Sequence, residues 1–160
     1  MSPNATFAPP QRYFEANVAP DICRVFQARD AASIFLQLWD MEDSLIEDVK
    51  LTVSELVTNA LEHGYGRVTL KITELAGVVT VGVSDCNPAP ARIRSAAQED
   101  LTGRGLMLVA GLAQAWGVSE DGYTTWAKFS WRDRQNAPPR RPGAVGVRPK
   151  SIGRMSWAKR

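Results

Sequence analysis

Apolar residues recur along this chain with two periods, and each change of period marks a predicted element. Tyr13–Val18 alternates between apolar and polar positions, which predicts a first strand. Pro20 and Asp21 form a reasonable helix start, and the residues after them predict one helix over Ile22–Trp39. The apolar residues of this helix are Ile22, Val25, Phe26, Ile34, Leu38 and Trp39.

The clearest helical pattern belongs to a second helix. Asp43 or Ser44 can serve as its N-cap, and Gly64 is its stop signal, so we predict that it runs to about His63. Its apolar positions follow the 3.6-residue period closely. They are Ile46, Val49, Val53, Leu56, Val57 and Ala60.

Two strands are predicted after the second helix. Arg67–Glu74 alternates strictly, and Ala76-Gly77 predicts a turn into a second strand that ends at Ser84-Asp85. The following segment, Asn87–Asp100, is rich in Pro, Ala and charged residues without clear periodicity. It is therefore predicted to be a long loop.

A third helix and a closing hairpin complete the pattern. Gly103 and Gly105 open the helix, and Trp116–Glu120 pairs with Tyr123–Trp131 across the turn Asp121-Gly122. The element order is thus β-α-α-β-β-α-β-β. It predicts an α/β (α+β) two-layer sandwich, with helices on one face of a mixed, largely antiparallel sheet.

Length and charge divide the chain into a body and a tail. The 160 residues suit one domain. Residues 1–131 hold 10 Lys/Arg against 16 Asp/Glu, whereas residues 132–160 hold 9 against 1. We expect a flexible N-terminal arm at 1–12, one domain at 13–132, and a basic, Pro/Arg-rich flexible tail at 133–160.

Cysteine usage and hydropathy exclude several classes of protein. The two cysteines lack metal-ligand spacing, which argues against a disulfide framework and a zinc site. No secretory signal and no apolar run of membrane-spanning length is visible. A reducing, cytoplasmic setting without a membrane partner is therefore expected.

One face of the second helix is a candidate metal and catalytic surface. It carries no Lys or Arg, and its residues are Thr52, Glu55, Thr58, Asn59 and Glu62. Glu55 and Asn59 stand at i and i+4, where a carboxylate and an amide oxygen converge as the hard ligands that Mg²⁺ accepts. The alternative, an ordinary solvated helix face, stays open from this pattern alone.

Two further segments carry candidate nucleotide-binding groups. Asp85 ends a valine-rich strand and can accept a hydrogen bond from an exocyclic amine such as that of adenine. It can equally initiate a turn before Asn87-Pro88. Gly103-Arg104-Gly105 offers backbone N–H groups at the positive end of a helix. The guanidinium group of Arg104 can in addition donate two hydrogen bonds to a phosphate. This segment is neither a Walker loop nor a Rossmann fingerprint.

Taken in order, these segments resemble the GHKL ATPases, the superfamily of gyrase and the histidine kinases. Glu55–Gly64 reads ELVTNALEHG, which resembles the N box of the branch that contains bacterial anti-sigma factors with serine kinase activity. Ser84-Asp85 matches the first glycine box, Thr102–Leu106 the second, and Thr124 the threonine of the closing strand. The resemblance covers roughly residues 13–131 and implies the Bergerat ATP-binding fold.

The resemblance implies ATP and Mg²⁺ as cofactors and a role for each matched residue. Asn59 would hold Mg²⁺, and Glu55 would act as general base or orient the attacking hydroxyl. Asp85 would accept a hydrogen bond from the adenine amine, and Thr124 would lie beside it. For His63 we favour a structural role within the site. The residues implied for ATP binding are Asn59, His63, Asp85, Gly103, Arg104, Gly105, Leu106 and Thr124.

The resemblance further implies a regulatory protein of the anti-sigma factor type. It would bind a sigma factor and/or phosphorylate an anti-anti-sigma protein on Ser or Thr, as a serine/threonine-protein kinase. The family's first box is Asp-x-Gly-x-Gly, whereas Asp85–Ala89 lacks both glycines. This departure keeps open a second interpretation, a non-catalytic partner-binding module with a degenerate nucleotide site. Nucleic-acid binding by the basic tail is the least favoured, and the choice between monomer and homodimer stays open.

Overall fold

The computed structural model describes residues 11–87 and 104–131, which form three helices and five strands. In chain order, the elements are β1 (Arg12–Val18), α1 (Arg24–Leu38), α2 (Asp43–His63), β2 (Val68–Leu75), β3 (Val78–Ser84), α3 (Arg104–Leu112), β4 (Ala115–Val118) and β5 (Thr124–Ser130). The predicted order of elements is confirmed. The predicted ends lie within about two residues of those observed, which is the usual uncertainty of element boundaries.

The five strands form one sheet in the order β1-β2-β3-β5-β4. All four of the pairings between described strands are antiparallel. Helices α1 and α2 pack on each other, and α2 also packs on β2, β3 and β5, so that the helices cover one face of the sheet. The predicted two-layer α/β sandwich is therefore confirmed.

The turn between β2 and β3 follows from two residues with left-handed backbone. Ala76 has φ 53° and Gly77 has φ 85°, the combination required by a tight type I′ hairpin turn. The N–H of Gly77 also donates a hydrogen bond to Oε1 of Glu74 at 3.0 Å. The turn brings β3 back beside β2 with Val81 opposite Ile72, and both valine and isoleucine side chains enter the core.

The hydrophobic core lies between the helices and the covered face of the sheet. Alternate residues of β2, β3 and β5 point into it, and α2 contributes the apolar stripe that its 3.6-residue period predicted. Its largest fully buried side chains include Phe129, Leu36, Leu45, Leu56, Leu70, Ile72 and Val81. The core therefore depends most on α2 and on the central strands.

Helix α1 buries small residues and exposes several large ones. Its buried face is formed by Val25, Ala28, Ala32 and Leu36. Of the apolar residues that marked this helix in the sequence, four are exposed: Ile22, Phe26, Ile34 and Leu38. Alanines allow α1 to approach its neighbours closely, because burying a small side chain needs little space between the packed elements.

Both ends of α2 differ in detail from the expected caps. The N-cap residue is Glu42, with extended backbone at φ −64° and ψ 142°, and Asp43 is already helical. The expectation of Asp43 or Ser44 as N-cap is therefore wrong by one residue or two. At the other end Gly64 has φ −83° and ψ −176°, so the helix stops there without a left-handed glycine.

Several expectations fall outside the described residues. These are nearly all of the arm at 1–12, the tail at 133–160, and the loop Asn87–Asp100 after its first residue. Among the helices of residues 11–87 and 104–131, none has the length and apolar content needed to cross a membrane.

Two phenylalanines with opposite surroundings allow a prediction about the stability of the core. Phe129 is 0% exposed in the core, whereas Phe26 on α1 is 59% exposed. We expect Phe129→Ala to lower the free energy of unfolding by about 3–5 kcal/mol, because it leaves a cavity. The matched change Phe26→Ala should stay within about 1 kcal/mol. Equilibrium urea denaturation of both variants measures the difference, and equal losses would place Phe129 outside the core.

Candidate functional site

The polar face of α2 runs from the interior of the protein to its surface. Thr52 is fully buried, Glu55 and Asn59 are half-buried, and Glu62 and His63 are exposed. Because Glu55 and Asn59 lie one helical turn apart, both are accessible from the same side of the helix. A molecule bound along this face would meet Glu55 at its inner end and His63 at its outer end.

The side chain of Asp85, just after β3, packs closely against the backbone at the end of α2. A Cβ atom at Gly64 would collide with the carbonyl oxygen of Ala60 and would lie 2.7 Å from Oδ2 of Asp85. No side chain fits in that space, which explains glycine at a position whose backbone angles any residue could adopt. The contact brings Asp85 to the outer end of the polar face of α2.

Asn87 stabilises the contact between the end of α2 and the end of β3 through two hydrogen bonds. Its backbone N–H donates to Oδ1 of Asp85 at 2.7 Å, which closes a local Asx turn. Its side-chain Nδ2 donates to the carbonyl oxygen of His63 at 2.7 Å, so it satisfies one of the carbonyls left free at the end of α2. At a position where the family has glycine, this chain therefore has a residue that caps α2.

Two backbone hydrogen bonds connect the end of β3 to the neighbouring loops. The N–H of Asp85 donates to the carbonyl oxygen of Tyr123 at 3.0 Å, and the N–H of Cys86 donates to that of Tyr65, also at 3.0 Å. Asp85 is thus fixed between the loop after α2 and the loop before β5. Such a carboxylate is held in position before any ligand arrives.

The inner end of the polar face contacts the first turn of α3. A Cβ atom at Gly105 would collide with Oε2 of Glu55 and would lie 3.3 Å from its Cδ. A side chain at this position would displace the Glu55 carboxylate, the flexible end of its side chain, from the start of α3. The two glycines, Gly64 and Gly105, therefore bring both ends of one face of α2 against the segments expected to bind adenine and phosphate.

Burial perturbs both carboxylates of the site. Burial raises the pKa of Glu55, and the charge of Glu62 raises it further. Burial also raises the pKa of Asp85, while the hydrogen bond from the Asn87 backbone lowers it in part. Partly desolvated carboxylates of this kind are typical of functional sites.

The remaining residues expected to bind phosphate lie around the start of α3. Gly103 is outside the described residues, and Arg104 is the first residue of α3, with its side chain outside the described part. Leu106 is buried in the core, where it positions the helix.

The side chain of His63 is exposed, with Nε2 3.9 Å from Oε2 of Glu62. The backbone carbonyl of His63 accepts the hydrogen bond from the Asn87 side chain.

The two threonines of β5 point to opposite faces of the sheet. Oγ1 of Thr124 lies 2.7 Å from Oγ of Ser84, and both belong to the face that is turned away from α2. Thr125 is opposite Val83 in the register and shares its face, toward the helices. The expectation that Thr124 lies beside the adenine stays a prediction, and the register assigns Thr125 to the helix-covered face of the sheet. The strand alternation around Trp126 carries the signal that distinguishes the two.

The oxygen donors of the site fit a magnesium ion shared with phosphates. Within the described residues, no cluster of three or more His, Cys, Asp or Glu side chains could hold a metal ion by itself. Asn59 presents an amide oxygen and Glu55 a carboxylate on the same helix face. One protein ligand together with phosphate oxygens and water is an arrangement that Mg²⁺ accepts readily.

The fold and the site together define an ATP-binding sandwich of the GHKL type. The chain belongs to the histidine kinase-like ATPase domain family, since the model of that family matches residues 18–131, more than two thirds of the 160 residues. ATP binding follows from this membership. A search of the curated proteins finds no match for the chain.

The raised pKa of Glu55 makes the stability of the fold depend on pH. In the unfolded chain this pKa returns to about 4.3, so the folded state takes up the proton at higher pH than the unfolded state. The contribution of Glu55 to the free energy of unfolding therefore falls as pH rises from the ordinary carboxyl pKa through the raised one. We expect Glu55→Gln to raise the melting temperature at about pH 7.5, with the gain vanishing below about pH 4.

Glu47→Gln is the matched control for that measurement. Glu47 is exposed on the same helix and forms an ion pair with Lys50 at 2.7 Å, so its neutralisation removes a weak surface attraction and should bring no gain. Differential scanning calorimetry of the two variants across this pH range measures the change in melting temperature that each substitution causes. A melting temperature that falls at neutral pH in Glu55→Gln would show that the ionised carboxylate stabilises α3.

Proposed function

We propose that this chain is an ATP-binding regulatory protein of the anti-sigma factor type that uses Mg²⁺·ATP to phosphorylate a protein partner on Ser or Thr. The partner would be an anti-anti-sigma protein, and the same domain would bind a sigma factor. The proposal rests on the family membership and on the resemblance of Glu55–Gly64 to the kinase-bearing anti-sigma branch.

One observation carries the proposal. The close approaches at Gly64 and Gly105 place Asp85 at one end of the polar face of α2 and the first turn of α3 at the other. An adenine nucleotide laid along this face would have its base at Asp85 and its phosphates at α3 and Asn59. Helix N-termini favour phosphate through free N–H groups and the helix dipole. The acceptor at Asp85 and the N–H donors at the start of α3 are therefore each matched to the part of the nucleotide that would lie there.

The chemistry that these residues would support is an in-line phosphoryl transfer. The partner's hydroxyl oxygen forms a bond to the γ-phosphorus, the bond from the γ-phosphorus to the bridging oxygen breaks, and ADP leaves with that oxygen. Glu55 accepts the hydroxyl proton, and the raised pKa of its carboxylate makes it a stronger base than an exposed glutamate. Asn59 would hold the ion that neutralises the phosphates, so positioning and charge stabilisation supply most of the rate.

Metal-dependent nucleotide binding tests the first part of the proposal. We expect isothermal titration to give clear binding of ADP and ATP in the presence of Mg²⁺. Asn59→Ala should reduce the affinity to the value measured with a chelator, because the protein ligand to the ion is gone. Asn17→Ala is the matched control, since Asn17 is exposed on β1 away from the site. Unchanged Mg²⁺-dependent affinity in Asn59→Ala would remove Asn59 from the site.

Phosphoryl transfer tests the second part. Glu55→Gln should retain or slightly improve ATP binding, because a negative charge near the phosphates is removed. The same variant should transfer phosphate to an anti-anti-sigma protein of the same organism about 10²–10⁴-fold more slowly, the usual contribution of a general base. Phosphate-affinity electrophoresis of the partner measures the rate. Equal transfer rates in Glu55→Gln and wild type would exclude Glu55 as the base.

A specific observation favours the second candidate, a partner-binding module that binds nucleotide weakly. Oδ1 of Asp85 already accepts a hydrogen bond from Asn87, and the side chain of Asn87 is committed to capping α2. Less of the carboxylate is then free for the adenine amine, and the backbone there is less adjustable than with glycine. Absence of ATP binding at millimolar nucleotide, with sigma factor binding retained, would establish this candidate instead of the kinase.

A further inference from the structure

Tyr123 lies directly opposite Asp85, just beyond the paired ends of β3 and β5. The last pair in the register is Ser84 with Thr124. The next backbone hydrogen bond runs from the N–H of Asp85 to the carbonyl oxygen of Tyr123 at 3.0 Å. Because side chains alternate along a strand, Asp85 and Tyr123 both continue the face of Val83, which belongs to the core under the helices. The two side chains therefore stand side by side on the helix-covered side of the sheet.

The two-layer sandwich opens at this end of the sheet. On β3, Val83 is buried, whereas Asp85 is half-buried. On the same face of β5, Ala127 is fully buried, Thr125 is half-buried, and the residue two positions earlier, Tyr123, is 41% exposed. The cover provided by the helices thus decreases step by step along both strands. It leaves Asp85 and Tyr123 accessible together from the side on which the polar face of α2 lies.

The turn before Tyr123 is held by its own side chains. Oδ1 of Asp121 accepts hydrogen bonds from the Ser119 hydroxyl at 2.6 Å and from the N–H of Tyr123 at 3.1 Å. The Ser119 hydroxyl in turn accepts one from the N–H of Thr124 at 3.0 Å. Both backbone polar groups of Tyr123 are therefore fixed, one by Asp121 and the other by Asp85. An aromatic side chain on a fixed backbone loses little conformational freedom when a ligand packs against it.

We propose that Tyr123 stacks on the adenine ring of the nucleotide while Asp85 accepts a hydrogen bond from the ring's amine. This inference rests on the proposed function, because it places the base at the end of the α2 face where Asp85 lies. An adenine ring carries its hydrogen-bonding groups on the edge, and its faces are apolar. The carboxylate is suited to the edge and the phenol ring to a face, so that the neighbouring side chains bind two different parts of one base.

The stack adds affinity at a point where the hydrogen bonding of Asp85 is partly committed. Oδ1 of Asp85 accepts a hydrogen bond from the backbone of Asn87 at 2.7 Å. A contact between Tyr123 and the face of the base depends on neither carboxylate oxygen. Every base has such a face, so stacking strengthens binding without selecting the base. The selection of adenine therefore remains with Asp85, and Tyr123 determines how tightly the selected base is held.

Titration calorimetry with Mg²⁺·ADP tests the stack in Tyr123→Ala, Tyr123→Phe and the control Tyr13→Ala. Tyr13 is 50% exposed on the edge strand β1, with Lys71 5.0 Å from the centre of its ring. We expect Tyr123→Ala to weaken ADP binding about 5- to 100-fold, the usual effect of losing a base–aromatic stack. Tyr123→Phe keeps the ring, so its affinity and that of the control should stay within about twofold of wild type.

A measurement on the wild type tests the contact without any change to the fold. In the ADP complex we expect nuclear Overhauser effects between the adenine ring protons and the Tyr123 ring protons, the latter assigned through Tyr123→Phe. The absence of these effects would overturn the stack. So would effects to the ring of Tyr65 in their place, since the carbonyl of Tyr65 binds the N–H of Cys86, next to Asp85.

The affinities separate this inference from the proposed function. Unchanged ADP affinity in Tyr123→Ala would overturn the stack and leave the proposed function in place. A loss in Tyr123→Phe as large as that in Tyr123→Ala would also overturn it, because the ring is then not the group that binds. A wild type that binds neither ADP nor ATP would overturn the stack and the proposed function together.

Discussion

The joint between the last turn of α2 and the end of β3 is the constraint on which the candidate site depends. Gly64 leaves room for the Asp85 side chain to pack against the end of α2. Asn87 stabilises this contact through hydrogen bonds to His63 and Asp85. A side chain at Gly64 would push the carboxylate away from the polar face of α2. Loss of the Asn87 amide would leave a helix carbonyl without its partner. The geometry of the site thus depends on the close packing of the Asp85 side chain against the backbone at the end of α2.

Most of the fold was predictable because the apolar pattern and the turn residues agree with each other. The stripe of α2 from Ile46 to Ala60 enters the core as its period predicted, and Ala76-Gly77 adopts the predicted turn. The exposed side of α1 was not predictable in this way. Two of its four buried positions are alanines, and only tertiary packing decides whether Ala28 or Phe26 faces the core.

The candidate site could be predicted as a set of segments, yet not as a geometry. The resemblance placed Glu55, Asn59 and Asp85 in one site, and these roles stay predictions. That Gly64 has an ordinary backbone and serves close approach, and that Asn87 caps α2, depend on contacts between residues more than twenty positions apart. The face of the sheet that Thr124 and Thr125 each occupy follows from the strand alternation, with Ala127 and Phe129 as its markers.

The pairing of β1 has a consequence for the order in which the chain folds. Val18 is opposite Val68, and both α1 and α2 lie in the chain between them. Closing so long a loop costs more chain entropy than closing the β2–β3 and β4–β5 hairpins, so we expect β1 to join the sheet last. The hairpin that ends in Asp85 would then exist before the sheet is complete, and pulsed hydrogen exchange during refolding can resolve the two events. Until β1 docks, the hydrogen-bonding edge of β2 is open to another chain, which makes this late step the one at which misassembly competes with folding.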